Sequence, residues 1–485
     1  MVFFERKKWL TIALLACLSY GVQAQETKTT WTLQECVDYG LKSNLQIKQA
    51  ELNGNFSNAN LIQARNAVLP SLNGGTSYSL NFGLNNDPTT GILVNQSTRA
   101  NNISLQTNVP LFSGFQLRNS IKQGQYNVEA ALSDIEKAKN DIILNIVSAY
   151  LQVILSDELL QTSQLQLANS KEQASRTQKL FNAGSVAESN VFEINSQIAS
   201  DEVNIVNAQN QKDIAELNLM QLLNLQPISD FEVVKIEIKD PDEEIITFNA
   251  NEVYDQAQRQ MPEIRAADIR ANSALVGVNV ARGALFPQLS IGGSYSTNYF
   301  NLNKTRILDV GEEQTRTQEI GFVNGDVNQK VTTVVTYNNP VTEPYTYLTQ
   351  LLDNRGGGVF LNLNIPIFNG LNARNGILRA TLDHKNAVLN TEIVRNQLRQ
   401  VIQQSYADAT AAQKRFIATK KQLAALELTF RNAQIRFNNG ILNPTDFNVA
   451  RNNFTRAQSD LIQAKYQYTF RLKVLDFYQG KPLAL

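Results

Sequence analysis

Few side chains in this sequence have the types and spacing that catalysis requires. The chain contains a single histidine, His384, and two cysteines, Cys17 and Cys36. No cluster of histidine, cysteine or carboxylate residues has the spacing of metal ligands. The glycine run Gly356 to Gly358 is typical of a bend between a loop and a strand, not of a phosphate-binding loop. We therefore expect no enzyme, no cofactor and no metal, and interpret His384 as a solvated helix residue.

The balance of charge argues against a nucleic-acid partner. Lysine and arginine number 44, aspartate and glutamate number 44, and the formal net charge is zero. Nucleic-acid binding favours a basic face, which this balance does not predict.

The N-terminus has the pattern of an export signal. A basic stretch, Arg6 to Lys8, precedes an apolar run from Trp9 to Val22, which predicts a signal peptide over residues 1–24. The alternative is a lipoprotein signal with acylation on Cys17. After residue 24 there is no run of 18 or more apolar residues, so we expect no transmembrane helix in the mature chain. A mature chain that spans a membrane would then have to use strands.

The rest of the chain contains one unit twice. Val109–Gly114 returns as Ile365–Gly370, and Phe181–Gly184 returns as Phe437–Gly440, both 256 positions later. A third pair, Ala64–Pro70 and Ala281–Pro287, is separated by 217 positions, so the second copy has an insertion of 39 residues. We predict a first repeat over 25–227, a linker or equatorial segment over 228–250 and a second repeat over 251–485.

Four segments alternate between apolar and polar residues with a period of two. They begin near Leu72, Ile103, Leu289 and Val359, and their polar positions are mainly Asn, Ser and Gln. Each has roughly the 9–11 residues that a tilted strand needs to cross a bilayer. Such a pattern is typical of a barrel with lipid outside and a wet lumen inside, although a sheet packed on a core shows it too. The link from about Asn301 to Gly357 is long, polar and turn-rich, so we expect mobility there.

Long helices are predicted between these strands. Nearly 70 residues from Gly114 to Phe181 contain no proline, and heptad spacing of apolar residues runs through this stretch and its second copy. Each helix turns at a glycine, Gly184 or Gly440, and returns as a helix of about 40 residues. Heptad repeats predict coiled-coil packing, and a second seam of small residues predicts a wall of helices.

Four strands cannot close a barrel, and an open sheet edge cannot face lipid. We therefore expect three chains to share one barrel of 12 strands, continuous with a helical coiled-coil barrel. The fold class is thus an α+β membrane protein. The alternative is a non-transporting, elongated coiled-coil protein with a structural or adhesive role in the envelope.

The chain resembles the outer-membrane efflux (TolC-like) family over nearly all of its mature length. The resemblance lies in the opening Trp31–Glu35 segment, in the tips, and in the order and spacing of the junctions between strands and helices. Those junctions are at Pro70, Pro110, Gly114, Pro287, Pro366 and Gly370. The resemblance implies a homotrimeric channel-tunnel in the outer-membrane lipid of a Gram-negative-type bacterium, with its helices in the periplasm. It also implies a passive exit duct for efflux or type I secretion, working with a periplasmic adaptor protein and an inner-membrane pump.

The resemblance further implies roles for residues near the two helical turns. Tip residues that would dock the adaptor are Gly184, Ser185, Val186, Gly440, Ile441 and Leu442. Residues at the periplasmic aperture would be Asp446, Asn190 and Phe447. Leu442 and Asn190 replace charged residues of the family pattern, so a salt-linked gate is not expected. We hypothesise a single ring of Asp446 with apolar packing through Leu442 and Phe447; the alternative is that Asp446 only caps the helix after Pro444.

Overall fold

A computed structural model describes residues 30–86, 92–226, 231–236 and 249–481. The predicted signal peptide, Cys17 and most of the predicted linker over 228–250 lie outside the described residues. The described residues fall into two compact units. The helical unit lies within Met1–Ala59, Gln125–Ser273 and His384–Leu485, and the sheet unit comprises Asn60–Gly124 and Ala274–Asp383.

Nine α-helices are described, and two pairs of them have matching lengths. They are α1 (Leu33–Ser43), α2 (Leu45–Asn66), α3 (Gln116–Asn182), α4 (Glu188–Leu222), α5 (Ala250–Gln260), α6 (Pro262–Arg282), α7 (Tyr347–Asp353), α8 (Asn372–Asn438) and α9 (Pro444–Tyr478). Helices α3 and α8 have 67 residues each, and α4 and α9 have 35 each. The two long stretches without proline therefore form unbroken helices, α3 and α8, as predicted.

The core of the helical unit is built around the middle of α3. Ile146 and Tyr150 are fully buried there, with Leu219 and Leu223 from the end of α4 and Cys36 from α1. By length and composition alone, α3 is the one described helix that could cross a membrane, and the sequence predicted none in the mature chain. Half of its apolar window is buried inside the protein. Its apolar side chains are therefore accounted for by packing in this core.

Twelve strands are described. They are β1 (Thr30–Trp31), β2 (Ser71–Asn81), β3 (Leu84–Asn86), β4 (Leu93–Asn95), β5 (Thr98–Ser113), β6 (Glu232–Val233), β7 (Gln288–Phe300), β8 (Thr305–Asp309), β9 (Glu313–Phe322), β10 (Lys330–Asn338), β11 (Val341–Pro344) and β12 (Gly356–Asn364). The four predicted strands correspond to β2, β5, β7 and β12. They form one antiparallel sheet in the order β12-β7-β5-β2.

The register of this sheet sorts its side chains by polarity. Asn102 lies between Ser77 and Asn298, so three polar residues share one face. Ile291 lies between Val109 and Leu361 on the opposite face. Directly paired residues of an antiparallel sheet point to the same side, so each face extends across all four strands.

The insertion in the second copy is more regular than the sequence suggested. We expected a long, turn-rich link, but β9 and β10 form a hairpin, and β8 and β11, which flank it in the chain, pair antiparallel; α7 follows. Threonine is frequent in β9, and threonine and valine are frequent in β10, and both residue types favour strands. Gln350 of α7 is buried, and its side-chain amide donates to the carbonyls of Asn303 and Tyr345.

Candidate functional site

The two outer strands of the four-stranded sheet, β2 and β12, each have one edge without a partner strand among the described residues. Every residue of β2 and of β12, the two outer strands, is exposed. Large apolar side chains share that exposure, among them Leu72, Val359 and Leu361. In water such a surface is unfavourable, and unpaired edge groups are ready to bind another strand. The sheet therefore exposes apolar side chains and two edges that could pair with further strands.

The junctions between strands and long helices need unusual backbone conformations. Gly114 and Phe115 both have positive φ, at 61° and 63°, and Gly370 and Leu371 repeat this at 62° and 63°. At Gly114 a Cβ would lie 2.3 Å from the carbonyl oxygen of Gly283, so a larger residue cannot fit. The sequence predicted Gly114 and Gly370 as junction residues. It did not predict the left-handed backbone of Phe115 and Leu371, because large side chains rarely adopt this conformation.

The other predicted junction residues are prolines, and each is near a strand end or an irregularity. Pro70 and Pro287 immediately precede β2 and β7, and Pro366 follows the end of β12. Pro110 lies inside β5, where the pairing with β7 shifts register before Phe112. Proline has no backbone N–H to donate, and a sheet tolerates the missing hydrogen bond at strand ends and at irregularities in the pairing.

Two helix ends form the predicted tips, and they have the same geometry. Gly184 has φ of 70°, its N–H donates to Phe181, and the next N–H donates to the carbonyl of Leu180 at 2.9 Å. Gly440 has φ of 71° and repeats both bonds, with the N–H of Ile441 donating to Arg436. This is the Schellman arrangement, which satisfies the last carbonyl groups of a helix.

The two tips border one groove of about 330 Å³. Six of the nine predicted tip and aperture residues line it: Ser185, Val186, Asn190, Gly440, Leu442 and Phe447. Arg176 on α3 donates to the side chain of Asn438 on α8 at 2.6 Å, and Thr445 donates to Glu193 at 3.1 Å. These two bonds join the first helical hairpin to the second, and they were not predicted because they link residues more than 250 positions apart.

Asp446 and Phe447 have clear structural roles within one chain. Asn443 is the N-cap of α9, its side chain accepts from the N–H of Asp446 at 2.8 Å, and its amide donates to the Asp446 carboxylate. Phe447 is buried and stacks on Phe437, with ring centroids 4.5 Å apart. The cap of α9 is thus Asn443, and Asp446 is the residue that it caps, three positions on, not the cap itself. The roles of Asp446 and Phe447 at an aperture stay predictions.

A cluster of ion pairs surrounds Lys212, a charged residue in the heptad series of apolar residues along α4. Lys212 occupies a heptad position that the sequence pattern reserves for apolar residues, and its ammonium lies 2.8 Å from Asp157 on α3. Lys235 also pairs with Asp157. Burial alone would raise the pKa of Asp157, but hydrogen bonds from the two lysines outweigh it and hold that pKa below its ordinary value. Burial raises the pKa of the neighbouring Glu216.

A model of the family described as "Outer membrane efflux protein" matches residues 38–225 and 348–481. The chain belongs to the outer membrane efflux protein family. The matched ranges contain both long helices, both tips and the return helices. The resemblance predicted from the junction and tip motifs is confirmed, and with it the location in the outer membrane of Gram-negative bacteria.

Distant relatives within this family align with most of the chain. The "Outer membrane efflux protein BepC" of Brucella suis is 20% identical over 96% of this chain and 88% of its own length. The "Toxin and drug export protein A" of Aggregatibacter actinomycetemcomitans is 20% identical over 88% of this chain and 79% of its own length.

Solved structures share the fold at low sequence identity. The Campylobacter jejuni CmeC outer membrane channel has a TM-score of 0.69 and 17% identity, over 93% of this chain and 87% of its own. A structure of CusC has a TM-score of 0.70 and 16% identity, over 93% of this chain and 92% of its own. The family and the fold are those of outer-membrane efflux channels, not of enzymes.

Proposed function

We propose that three copies of this chain form one passive exit duct through the outer membrane. The observation that carries this proposal is the four-stranded sheet with both edges unpaired and an apolar face exposed. In hydrocarbon every backbone polar group must be bonded, so β2 of one copy would pair with β12 of the next. Three sheets of four strands give a barrel of 12 strands, wide enough for a lumen lined by the Asn, Ser and Gln face.

The long helices would extend this duct into the periplasm. Helix α3 begins three residues after β5 ends, and α8 follows β12 along the chain. Each long helix pairs with shorter ones in the helical unit, and apolar side chains such as Leu389 and Ile393 of α8 stay exposed. Packing of neighbouring copies would cover them and build a helical coiled-coil barrel. An elongated scaffold, the alternative, would not need the exposed apolar sheet.

The groove between the tips would receive a periplasmic adaptor, which would connect the duct to an inner-membrane pump. Its lining is partly apolar and joins both hairpins of one chain. A photo-crosslinker at Leu442 should capture the adaptor in cells, whereas one at Leu389, outside the groove, should not. Equal capture from both positions would show that the groove is not the docking surface.

Disulfide trapping tests the shared barrel. Cysteine at Ser77 in β2, combined in turn with cysteine at successive positions of β12 around Asn362, should give a covalent trimer for at least one pair. The control pair, Ser104 and Ser296, are direct partners within one sheet and should give no intermolecular product. Cys36 is fully buried and should not compete. The native mass in detergent should be three times that of the mature chain. A monomeric mass together with no crosslink between β2 and β12 would refute the proposal.

A further inference from the structure

A second cavity, of about 380 Å³, lies between α3, α8 and α9. Its walls include three phenylalanines, Phe430, Phe447 and Phe454, and the rings of Phe430 and Phe454 stack with centroids 5.2 Å apart. Most of the other lining residues are polar, and they include Arg451 of α9, Gln166 of α3 and the carboxylate residue Glu172. All of these residues belong to the helical unit. The cavity therefore combines an aromatic wall with a polar lining, and its size is near the lower end for small-molecule sites.

Arg451 is a buried cation, and one side of its guanidinium group donates a hydrogen bond to the protein. Only 4% of the residue is exposed. Its Nη1 donates to the hydroxyl of Ser170 at 2.9 Å, and that hydroxyl donates to the carboxylate of Asp201. Gln197 donates to the other oxygen of Asp201 at 2.9 Å. Asp201 is thus the counterion, and it acts through Ser170 without touching the arginine.

The other side of the guanidinium has no partner. Among the described residues, none accepts a hydrogen bond from Nε or Nη2 of Arg451. These two atoms carry the parallel N–H groups that bind both oxygens of a carboxylate. Donors of a buried charge that are left unbonded cost free energy, so this edge favours an anionic acceptor.

Gln166, which lines the same cavity, has a third unpaired donor. Its side-chain oxygen accepts from the hydroxyl of Thr455 at 3.0 Å, which fixes the orientation of the amide. The amide nitrogen is buried and has no acceptor among the residues that the structure describes. Three orphan donor atoms and an aromatic wall therefore line the same cavity.

We propose that this cavity binds a small organic carboxylate with an aromatic or otherwise apolar body. The carboxylate would take both hydrogen bonds from Arg451 and one from Gln166, and the apolar body would pack against Phe430 and Phe454. This ligand site goes beyond the proposed exit duct, and it does not depend on an adaptor or a pump.

Fluorine NMR of the full-length protein in detergent, with 4-fluorobenzoate as the probe, tests the site. Wild-type protein should broaden the resonance of 4-fluorobenzoate in a saturable way and should leave neutral 4-fluorobenzamide unchanged. Arg451→Lys keeps the charge but removes the paired donors, so affinity should fall about tenfold or more. The matched control is Arg471→Lys, a partly exposed arginine of α9 that pairs with Asp408, and it should bind as wild type does.

Gln166→Glu provides a second, independent variant. It places a carboxylate beside the open edge of Arg451, so the protein should keep its native mass and lose 4-fluorobenzoate binding. Equal binding by wild type and Arg451→Lys, equal binding of the amide, or retained binding in Gln166→Glu would overturn the proposal. So would the absence of saturable binding to wild type, since another group, such as a side chain of a neighbouring copy, would then fill the cavity. Competition by acetate as strong as by unlabelled benzoate would refute the role of the aromatic wall.

Discussion

Replacing Phe447 with alanine should loosen the second tip without unfolding the rest of the chain. The ring is 5% exposed and stacks on Phe437 at 4.5 Å, with Phe430 on its other side at 5.8 Å. It therefore holds the first turn of α9 against the last turns of α8.

The magnitude follows from that burial. Truncation of a buried phenylalanine to alanine costs about 3–5 kcal/mol, which includes the cavity left behind. Each 1.4 kcal/mol is a factor of ten in an equilibrium constant. The local opening constant of this tip should therefore rise by about 100-fold to about 4,000-fold, unless the tip reaches full exchange first.

Hydrogen exchange measured by mass spectrometry on the protein in detergent checks this expectation. Peptides over residues 430–450 should exchange faster in the Phe447→Ala variant, and peptides around Tyr150 should not change. Phe192, on α4 and 63% exposed, offers a matched truncation whose effect should be below about 0.5 kcal/mol. Protection of residues 430–450 at the wild-type level would refute the reasoning, because Phe447 would then not hold the tip together.

Three further outcomes are expected. Gly440→Ala forces a side chain into a left-handed conformation and should lower the stability of its turn by about 1–2 kcal/mol. The same exchange measurement tests this, and an unchanged exchange rate would contradict it. Tyr150→Phe removes the bond from its hydroxyl to the carbonyl of Val234, at 2.6 Å, and should cost about 1–3 kcal/mol, seen as a lower thermal midpoint. The pKa of Asp157 is held below its ordinary value of 3.8, so its stabilising effect is present above that pH and is lost as the pH falls through the lowered pKa. Asp157→Asn should therefore lower the midpoint at neutral pH and reduce its fall below pH 3.8; identical pH profiles would show that Lys212 does not stabilise the fold through this carboxylate.

Local patterns were enough to predict the four strands of the main sheet, the long helices and their turns. The period-two alternation around Leu105 and Ile291 identified strands that pair in the observed sheet. The absence of proline between Gly114 and Gly184 identified the whole of α3, and glycine at both turns identified the Schellman ends. Each of these signals is contained in a short window of sequence, and the physical cause acts in that same window.

Features made by distant residues could not be predicted in this way. The groove between the tips depends on bonds such as Arg176 to Asn438, and no sequence window contains both residues. The pattern signalled that Lys212 was out of place in its seam but did not identify Asp157, 55 positions away, as its partner.

The two copies of the repeat differ at the buried cluster of Arg451. The residues of this cluster and their counterparts, 256 positions away, are Ser170 and Leu426, Asp201 and Ala457, and Arg451 and Asn195. Arg451 is buried, whereas its counterpart Asn195 is exposed. A buried cation with unbonded donors and an indirect counterion is a poor way to gain stability, since apolar residues of similar volume pack at least as well. At the positions that correspond to Ser170 and Asp201 the second copy has leucine and alanine, so the repeated fold does not require these polar groups. The cluster, which joins the first hairpin to the second, therefore occurs at one of two related positions in each chain, and the proposed trimer would contain three such cavities.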